Sequence, residues 1–269
     1  MLHKIVRLLP PGFIRFVGRL QFQFPWLGKL IRGVASSIAS NEGIIANGVG
    51  KGLKFNATGG YAGYLLGTTE MEEQVAFASY LKPGGVFYDL GANIGFYSTL
   101  AGRLVGEQGA VYAFEPFPES AEQARLNANL NGFSHIQVIE SAISDTNGTV
   151  RFALLDKSAS HQINDKVDEG IEVPCVTLDR IISEKGLRPP TLIMIDIEGA
   201  EFAAIRGMAK ALAAYKPVLL VEVHWLVKEL HETYESVLKP LGYSLRTLDG
   251  SPLPAEEIRY HVIFEPSSG

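Results

Sequence analysis

Residues 86–95 read Val-Phe-Tyr-Asp-Leu-Gly-Ala-Asn-Ile-Gly, an apolar run carrying an acid at Asp89 and then a turn through Gly91, Asn93 and Gly95. A second apolar run, Val111-Tyr112-Ala113-Phe114, closes on Glu115. Strand, glycine turn, helix and a second strand ending in an acid is what a nucleoside-containing ligand requires. Glycines let the backbone approach the ligand, and the second acid accepts hydrogen bonds from both ribose hydroxyls. The turn reads D-x-G-x-N-x-G, not the G-x-G-x-x-G of a dinucleotide site whose helix N-terminus faces a pyrophosphate. An anionic Asp89 before the turn suits a cationic ligand, such as the amino group of S-adenosylmethionine.

Two more apolar runs end in acids, at Asp196 and Glu222, and His224 lies just past the second. A lone acid at a strand end commonly caps the next helix. Four on one sheet edge would repel and raise one another's pKa, which a cationic cofactor or a metal would relieve.

The elements that must position these groups are legible as a βα alternation. Strands are predicted at 86–89, 111–115, 136–140, 149–154, 172–176, 191–196 and 218–223, with helices near 95–105, 118–131, 178–185, 200–213 and 226–239. A further helix beginning at Thr69, with Glu72 three residues on, reads as a capping box. Tyr243–Leu248 and Arg259–Phe264 are expected to form a terminal antiparallel pair. Repeated βα units predict a doubly wound, mostly parallel sheet with ligands at the carboxyl ends of its strands.

Asp89-Leu90-Gly91-Ala92-Asn93-Ile94-Gly95, Phe114-Glu115-Pro116, Ser141-Ala142-Ile143-Ser144-Asp145 and Ile195-Asp196-Ile197-Glu198-Gly199-Ala200-Glu201 resemble, in this order, the motifs of FkbM-type methyltransferases. The resemblance covers roughly residues 65–265. It implies a seven-stranded Rossmann-like α/β fold with an antiparallel terminal strand, S-adenosylmethionine as donor, and a hydroxyl acceptor on a sugar, glycolipid or polyketide-like product. Carried over by position, Asp89, Gly91, Asn93 and Gly95 surround the methionine part of the cofactor. Glu115 holds the ribose with Pro116 and Phe117 beside the adenine, Ser141 and Ala142 edge that ring, and Glu70 closes over the methionine end. Asp196 stands both in the cofactor set and among the catalytic candidates.

A hydroxyl needs a base, and His224 is the candidate whose ordinary pKa suits the task. Asp196, Glu198 and Glu222 are the carboxylate alternatives. Asp196, Glu198 and Glu222, with Asp196 and Glu222 foremost, could instead bind Mg²⁺ through hard oxygens, although a metal-free site is the favoured reading. Glu201 is assigned to the first turn of its helix, where an acid suits the dipole.

The net charge of −5 conceals an asymmetry: residues 1–54 carry eight Lys/Arg and one acid, the rest 16 basic and 28 acidic residues. The domain reading is a basic, largely helical extension over 1–64 and a methyltransferase domain over 65–269. In a helix near Gly12, Phe13, Phe16, Val17 and Leu20 share a face opposite Arg15 and Arg19. Such a leader suits docking on the acidic body, a dimer contact, or peripheral contact of residues 1–40 with an anionic membrane surface. No stretch reaches the length of a membrane span, so a cytoplasmic location is expected, at most peripheral to the inner face of a membrane. The acidic body disfavours nucleic acid as a partner. A non-catalytic cofactor-binding or membrane-associated partner protein is the alternative from another class, and the intact cofactor motif speaks against it. The single Cys175, in an apolar run, reads as a buried thiol.

Overall fold

The computed structural model describes residues 9–14, 16, 33, 35–39, 42–153, 162–163, 170–224, 227–254, 257 and 260–267. Two short strands, β1 (Glu42–Ile44) and β2 (Lys54–Asn56), and helices α1 (Ala62–Leu66) and α2 (Met71–Tyr80) lead into the βα alternation. There follow β3 (Val86–Leu90), α3 (Phe96–Val105), β4 (Ala110–Phe114), α4 (Pro118–Leu130), β5 (Ile136–Ile139), β6 (Ala142–Ile143), β7 (Gly148–Ala153), β8 (Gln162–Ile163) and β9 (Gly170–Val176). The chain then forms α5 (Leu178–Lys185), β10 (Leu192–Ile195), α6 (Glu201–Arg206), α7 (Ala209–Tyr215), β11 (Val218–Glu222), α8 (Val227–Thr233), β12 (Tyr243–Arg246) and β13 (His261–Pro266).

Seven strands make one sheet in the order β12-β13-β11-β10-β3-β4-β5. All run parallel except β13, which pairs antiparallel with both β11 and β12. The central strands β3 and β10 are buried at every position, which is why their sequences are unbroken apolar runs apart from Asp89. Pleating divides their side chains between two cores. Tyr88, Leu90, Phe114, Ile193 and Ile195 face one side, and Phe87, Val111, Leu192 and Met194 the other. The chain order reverses between β3 and β10, so the carboxyl ends of these two strands flank the crevice where such sheets bind ligands.

Ile38, Ile45, Leu53, Phe55 and Ala57 belong to the same core as Phe87 and Leu100. The described part of residues 33–64 is therefore packed into the catalytic body, and the boundary read at residue 64 falls within one packed unit. Of the expected leader helix, residues 11–14 and 16 are helical, and Val17, Arg19 and Leu20 lie outside the described residues. So does most of the polar stretch 155–171.

Three local expectations are corrected. The capping box at Thr69 does not form: Glu70 is the N-cap of α2, at φ 47°, with no side-chain capping bond. The helix expected over 200–213 is two, because the chain turns at Gly207, where a Cβ would lie 2.0 Å from the Ser144 carbonyl oxygen. β7 and β9 do not extend the main sheet but join β6 and β8 in a separate one, ordered β6-β9-β7-β8. Cys175 is buried on β9 as expected.

Candidate active site

The turn after β3 is shaped by close approach. Gly91 adopts φ 88°, and a Cβ there would lie 1.8 Å from the Asp196 carbonyl oxygen. Only glycine lets the ends of β3 and β10 meet in this way. Asn93, at φ 49°, donates its backbone N–H to Glu115 Oε2 at 2.8 Å, and Glu115 Oε1 accepts the Phe117 N–H at 2.9 Å. Glu115 thereby ties the turn after β3 to the loop after β4. Gly95 serves a different purpose: at φ 80° it caps α3, and a Cβ would meet Ala124 of α4 at 2.9 Å. It lines neither of the two cavities described next.

The larger cavity, about 190 Å³, is walled by Gly59 and Tyr61, by Glu115, Pro116 and Phe117, by Ser141 and Ala142, and by Glu198. The smaller, about 50 Å³, is bounded by Tyr64, Glu70, Asp89, Tyr97 and Met194. Gly91, Asn93 and Asp196 line both. The pair forms one two-lobed groove across the topological switch point, a shape suited to a nucleoside with an attached tail.

Each lobe is acidic. In the smaller, burial pushes Asp89 up to about 6, although Ser98 Oγ donates to its Oδ2 at 2.5 Å. Burial also raises Glu70, against the Tyr97 hydroxyl that donates to its Oε2 at 2.9 Å. In the larger, burial lifts Glu115 to about 7 despite its two amide partners. At the junction, burial and the nearby Glu222 carboxylate hold Asp196 well above the usual carboxylate range. Ionised together, these groups crowd negative charge into the groove, which a cationic ligand would relieve.

His224 stands just behind the junction, 5% exposed. Its Nδ1 is 2.8 Å from Glu201 Oε1, a hydrogen bond, and Glu201 also accepts the Gly199 N–H at 2.9 Å. Its Nε2 faces Glu222 at 3.4 Å, Glu198 at 3.6 Å and Asp196 at 3.8 Å. Burial opposes a charge on the ring, yet Glu201 and Glu222 outweigh it and lift His224 to about 11. Burial would raise Glu222, but His224 and His261 bring it down to about 2. His261 Nδ1 lies 3.0 Å from Glu73 Oε1 on α2. An alternating chain Glu73–His261–Glu222–His224–Glu201 thus crosses the carboxyl edge of the sheet.

Residues 89–245, more than half of the chain, match the model of the methyltransferase FkbM domain. The chain belongs to the FkbM methyltransferase family. Among curated proteins it is 23% identical over 141 residues to the hexuronic acid methyltransferase AglP of Haloferax volcanii, covering 52% of this chain and 56% of AglP. It is 32% identical over 116 residues to a probable cobalt-precorrin-6B C(15)-methyltransferase of Sulfolobus acidocaldarius, covering 42% of this chain and 53% of that one. It is 28% identical over 176 residues to the 31-O-demethyl-FK506 methyltransferase FkbM of Streptomyces tacrolimicus, covering 54% of this chain and 67% of that one. The chain spans about half to two thirds of the length of these relatives.

S-adenosylmethionine is the methyl donor of such methyltransferases, and the groove has the features to take it. Gly91 lets the ends of β3 and β10 meet at the junction of the lobes, and the acids Asp89, Glu70 and Asp196 lining the smaller lobe suit the cationic end of that donor. Of the residues singled out in the sequence, Glu70 and Asp89 fall in the smaller lobe, and Glu115, Pro116, Ser141, Ala142 and Glu198 in the larger. Gly91, Asn93 and Asp196 fall in both, whereas His224 and Glu222 sit one step behind the wall. Sequence reasoning missed Ser98, Tyr64 and Tyr97, although Ser98 lies in the first turn after Gly95, where a helix brings it back over the strand end. It also missed the anchoring role of Glu201, the Glu73–His261 pair, and Phe152, which reaches Phe117 edge-on from the small sheet at 5.1 Å.

Proposed function

We propose that the chain is an S-adenosylmethionine-dependent O-methyltransferase acting on a hydroxyl of a sugar, glycolipid or polyketide-like small molecule. The observation that carries this reading is the meeting of the two lobes at Asp196, with Glu198 beside it and His224 behind. In it Glu115 takes the ribose hydroxyls, Pro116, Phe117, Ser141 and Ala142 border the adenine, and Asp89, Asn93 and Glu70 receive the methionine end. Bound there, S-adenosylmethionine supplies an electrophilic methyl group. What remains for the protein is to hold a hydroxyl in line and take its proton. Asp196 touches both lobes and is held above the usual carboxylate range, which makes it the group placed to receive that proton. His224, anchored by Glu201, fixes the carboxylates around it.

The acceptor class draws support from the names of two relatives, one acting on a hexuronic acid and the other on an O-demethyl form of FK506. The test is calorimetric titration with S-adenosylmethionine and NAD, followed by mass spectrometry of uronic acids, glycolipids and polyketide alcohols incubated with enzyme and donor. Donor binding with a gain of one methyl on oxygen supports the reading. Methyl gain on carbon, as named for the cobalt-precorrin relative, would replace it.

For the basic leader we favour docking on the body with one face left outward. Ile14 packs against the core that contains Phe55, while Phe13 and Phe16 are 49% and 57% exposed. Among the described residues no helix is long and apolar enough to cross a membrane. Peripheral contact through the exposed phenylalanines is checked by sedimentation with anionic vesicles.

A further inference from the structure

Asp196, Glu198 and His224 each offer one ligand atom, and the three atoms lie within 4.8 Å of one another. His224 Nε2 is 3.8 Å from Asp196 Oδ1 and 3.6 Å from Glu198 Oε2. Donors so spaced can all reach one small divalent ion at about 2.0–2.2 Å after modest side-chain shifts. The other ring nitrogen is committed to Glu201 at 2.8 Å. With Nδ1 held by Glu201, Nε2 is the ring atom that faces Asp196, Glu198 and Glu222, and an ion bound there would take the place of the ring proton that Glu201 and Glu222 otherwise favour, the arrangement that orients metal-binding histidines. Glu201 is 0% exposed, and its second oxygen has no hydrogen-bond partner among the described residues. Were the ring proton displaced, this buried carboxylate would lose its charged partner, and an ion bound at Nε2 would restore positive charge beside it. Access exists, because Asp196 and Glu198 line the larger lobe of the groove.

We propose that Asp196, Glu198 and His224 bind one divalent transition-metal ion at the floor of the groove, with open positions toward the acceptor. The inference rests on the methyltransferase reading and deepens it: a bound ion would lower the pKa of the acceptor hydroxyl as a Lewis acid, so that its proton passes to water in the groove as the methyl group leaves sulfur for oxygen, and Asp196 would serve as a ligand instead of as the base. One imidazole and two carboxylates favour Mn²⁺, Fe²⁺, Co²⁺ or Zn²⁺ over Mg²⁺, which prefers oxygen donors throughout. The site shares Asp196 and Glu198 with the carboxylates read from the sequence, and differs in taking His224 in place of Glu222 and in its ion.

The experiment takes the full chain, stripped with EDTA and dialysed, and titrates it with Co²⁺ and separately with Mg²⁺, followed by visible absorbance and calorimetry. The expected result is one Co²⁺ per chain with d–d absorption, bound at least about tenfold more tightly than Mg²⁺. Glu198→Gln should abolish the absorption, and Glu201→Gln should weaken Co²⁺ binding about 10–100-fold by releasing the ring. Circular dichroism of both variants verifies that they fold. No Co²⁺ uptake by the unsubstituted chain at millimolar metal overturns the inference, as does uptake unchanged in both Glu198→Gln and Asp196→Asn. Titrating the same samples with S-adenosylmethionine separates the two readings. Donor binding without Co²⁺ uptake sinks the metal site alone. Co²⁺ uptake without donor affinity upholds the site and removes the methyl-transfer reading.

Discussion

Individual side chains in the groove trade stability for binding. Glu115 is buried and lifted to about 7, so the empty protein holds it at a cost that a ligand offsets. In the proposed assignment of Glu115 to the ribose hydroxyls, replacing it with alanine removes their acceptor. By the usual worth of a charge-assisted hydrogen bond, calorimetry should show S-adenosylmethionine affinity reduced about 10- to 100-fold. Asp89 gives the matching stability prediction. Its carboxyl titrates near 6 in the fold against 3.8 ordinarily. Between those values the native state binds more protons than the unfolded one, so stability falls as pH rises through this window and is level above it. Asp89→Asn removes that dependence. In urea unfolding, its advantage over the unsubstituted protein should grow from pH 4 to about pH 7 and then stay constant. An advantage that does not vary with pH would show that Asp89 ionises freely in the fold.

At the scale of elements, the site depends on two loops that touch. Gly91 and Gly106 both adopt positive φ, 88° and 64°, but a Cβ at Gly91 strikes the Asp196 carbonyl and one at Gly106 meets open space. Gly106→Ala should cost only the backbone conformation, about 1–3 kcal/mol, because φ 64° with ψ −177° is a region that residues with a Cβ rarely adopt. Gly91→Ala adds a clash that drives β3 and β10 loops apart, and should exceed it by at least about 2 kcal/mol in denaturant unfolding while abolishing donor binding. Equal losses would mean that the two loops yield easily. Glu70, Asn93 and Glu198 are three of the four non-glycine residues at positive φ among those described. All three line the groove, in keeping with the tendency of backbone strain to collect where side chains must be aimed.

For the molecule as a whole, residues 42–64 are structural, not an appendage. Ile45 and Phe55 are fully buried in the core beneath Phe87 and Leu100, and Asn127 of α4 exchanges hydrogen bonds with the Asn56 backbone at 2.7 and 3.1 Å. A chain beginning at residue 65 should lose cooperative thermal unfolding by circular dichroism, because several large side chains would leave one core at about 2–5 kcal/mol each. A chain beginning at residue 33 should retain it.

The βα order, the buried central strands and the acids at their ends were legible in the sequence, because each depends on a run of neighbours: apolar residues that both sheet faces must cover, then a glycine turn and an acid. The motif at 89–95 and Glu115 were legible for the same reason, as was the gathering of Asp89, Glu115, Asp196 and Glu222 on one edge. Tertiary structure alone decided which of these groups touch. Glu201 reads locally as a helix-start acid, yet it anchors His224, and Glu73 meets His261 from the far end of the chain. The close packing of Gly95 on Ala124 between α3 and α4 was also not written in the local sequence. The pairing of β7 with β9 in a second sheet was equally hidden. Periodicity records which face of an element is buried, but not which element lies against it. Contacts between elements far apart in the chain follow from strand order and the sub-ångström fit of side chains, and neither is written in any local stretch of sequence.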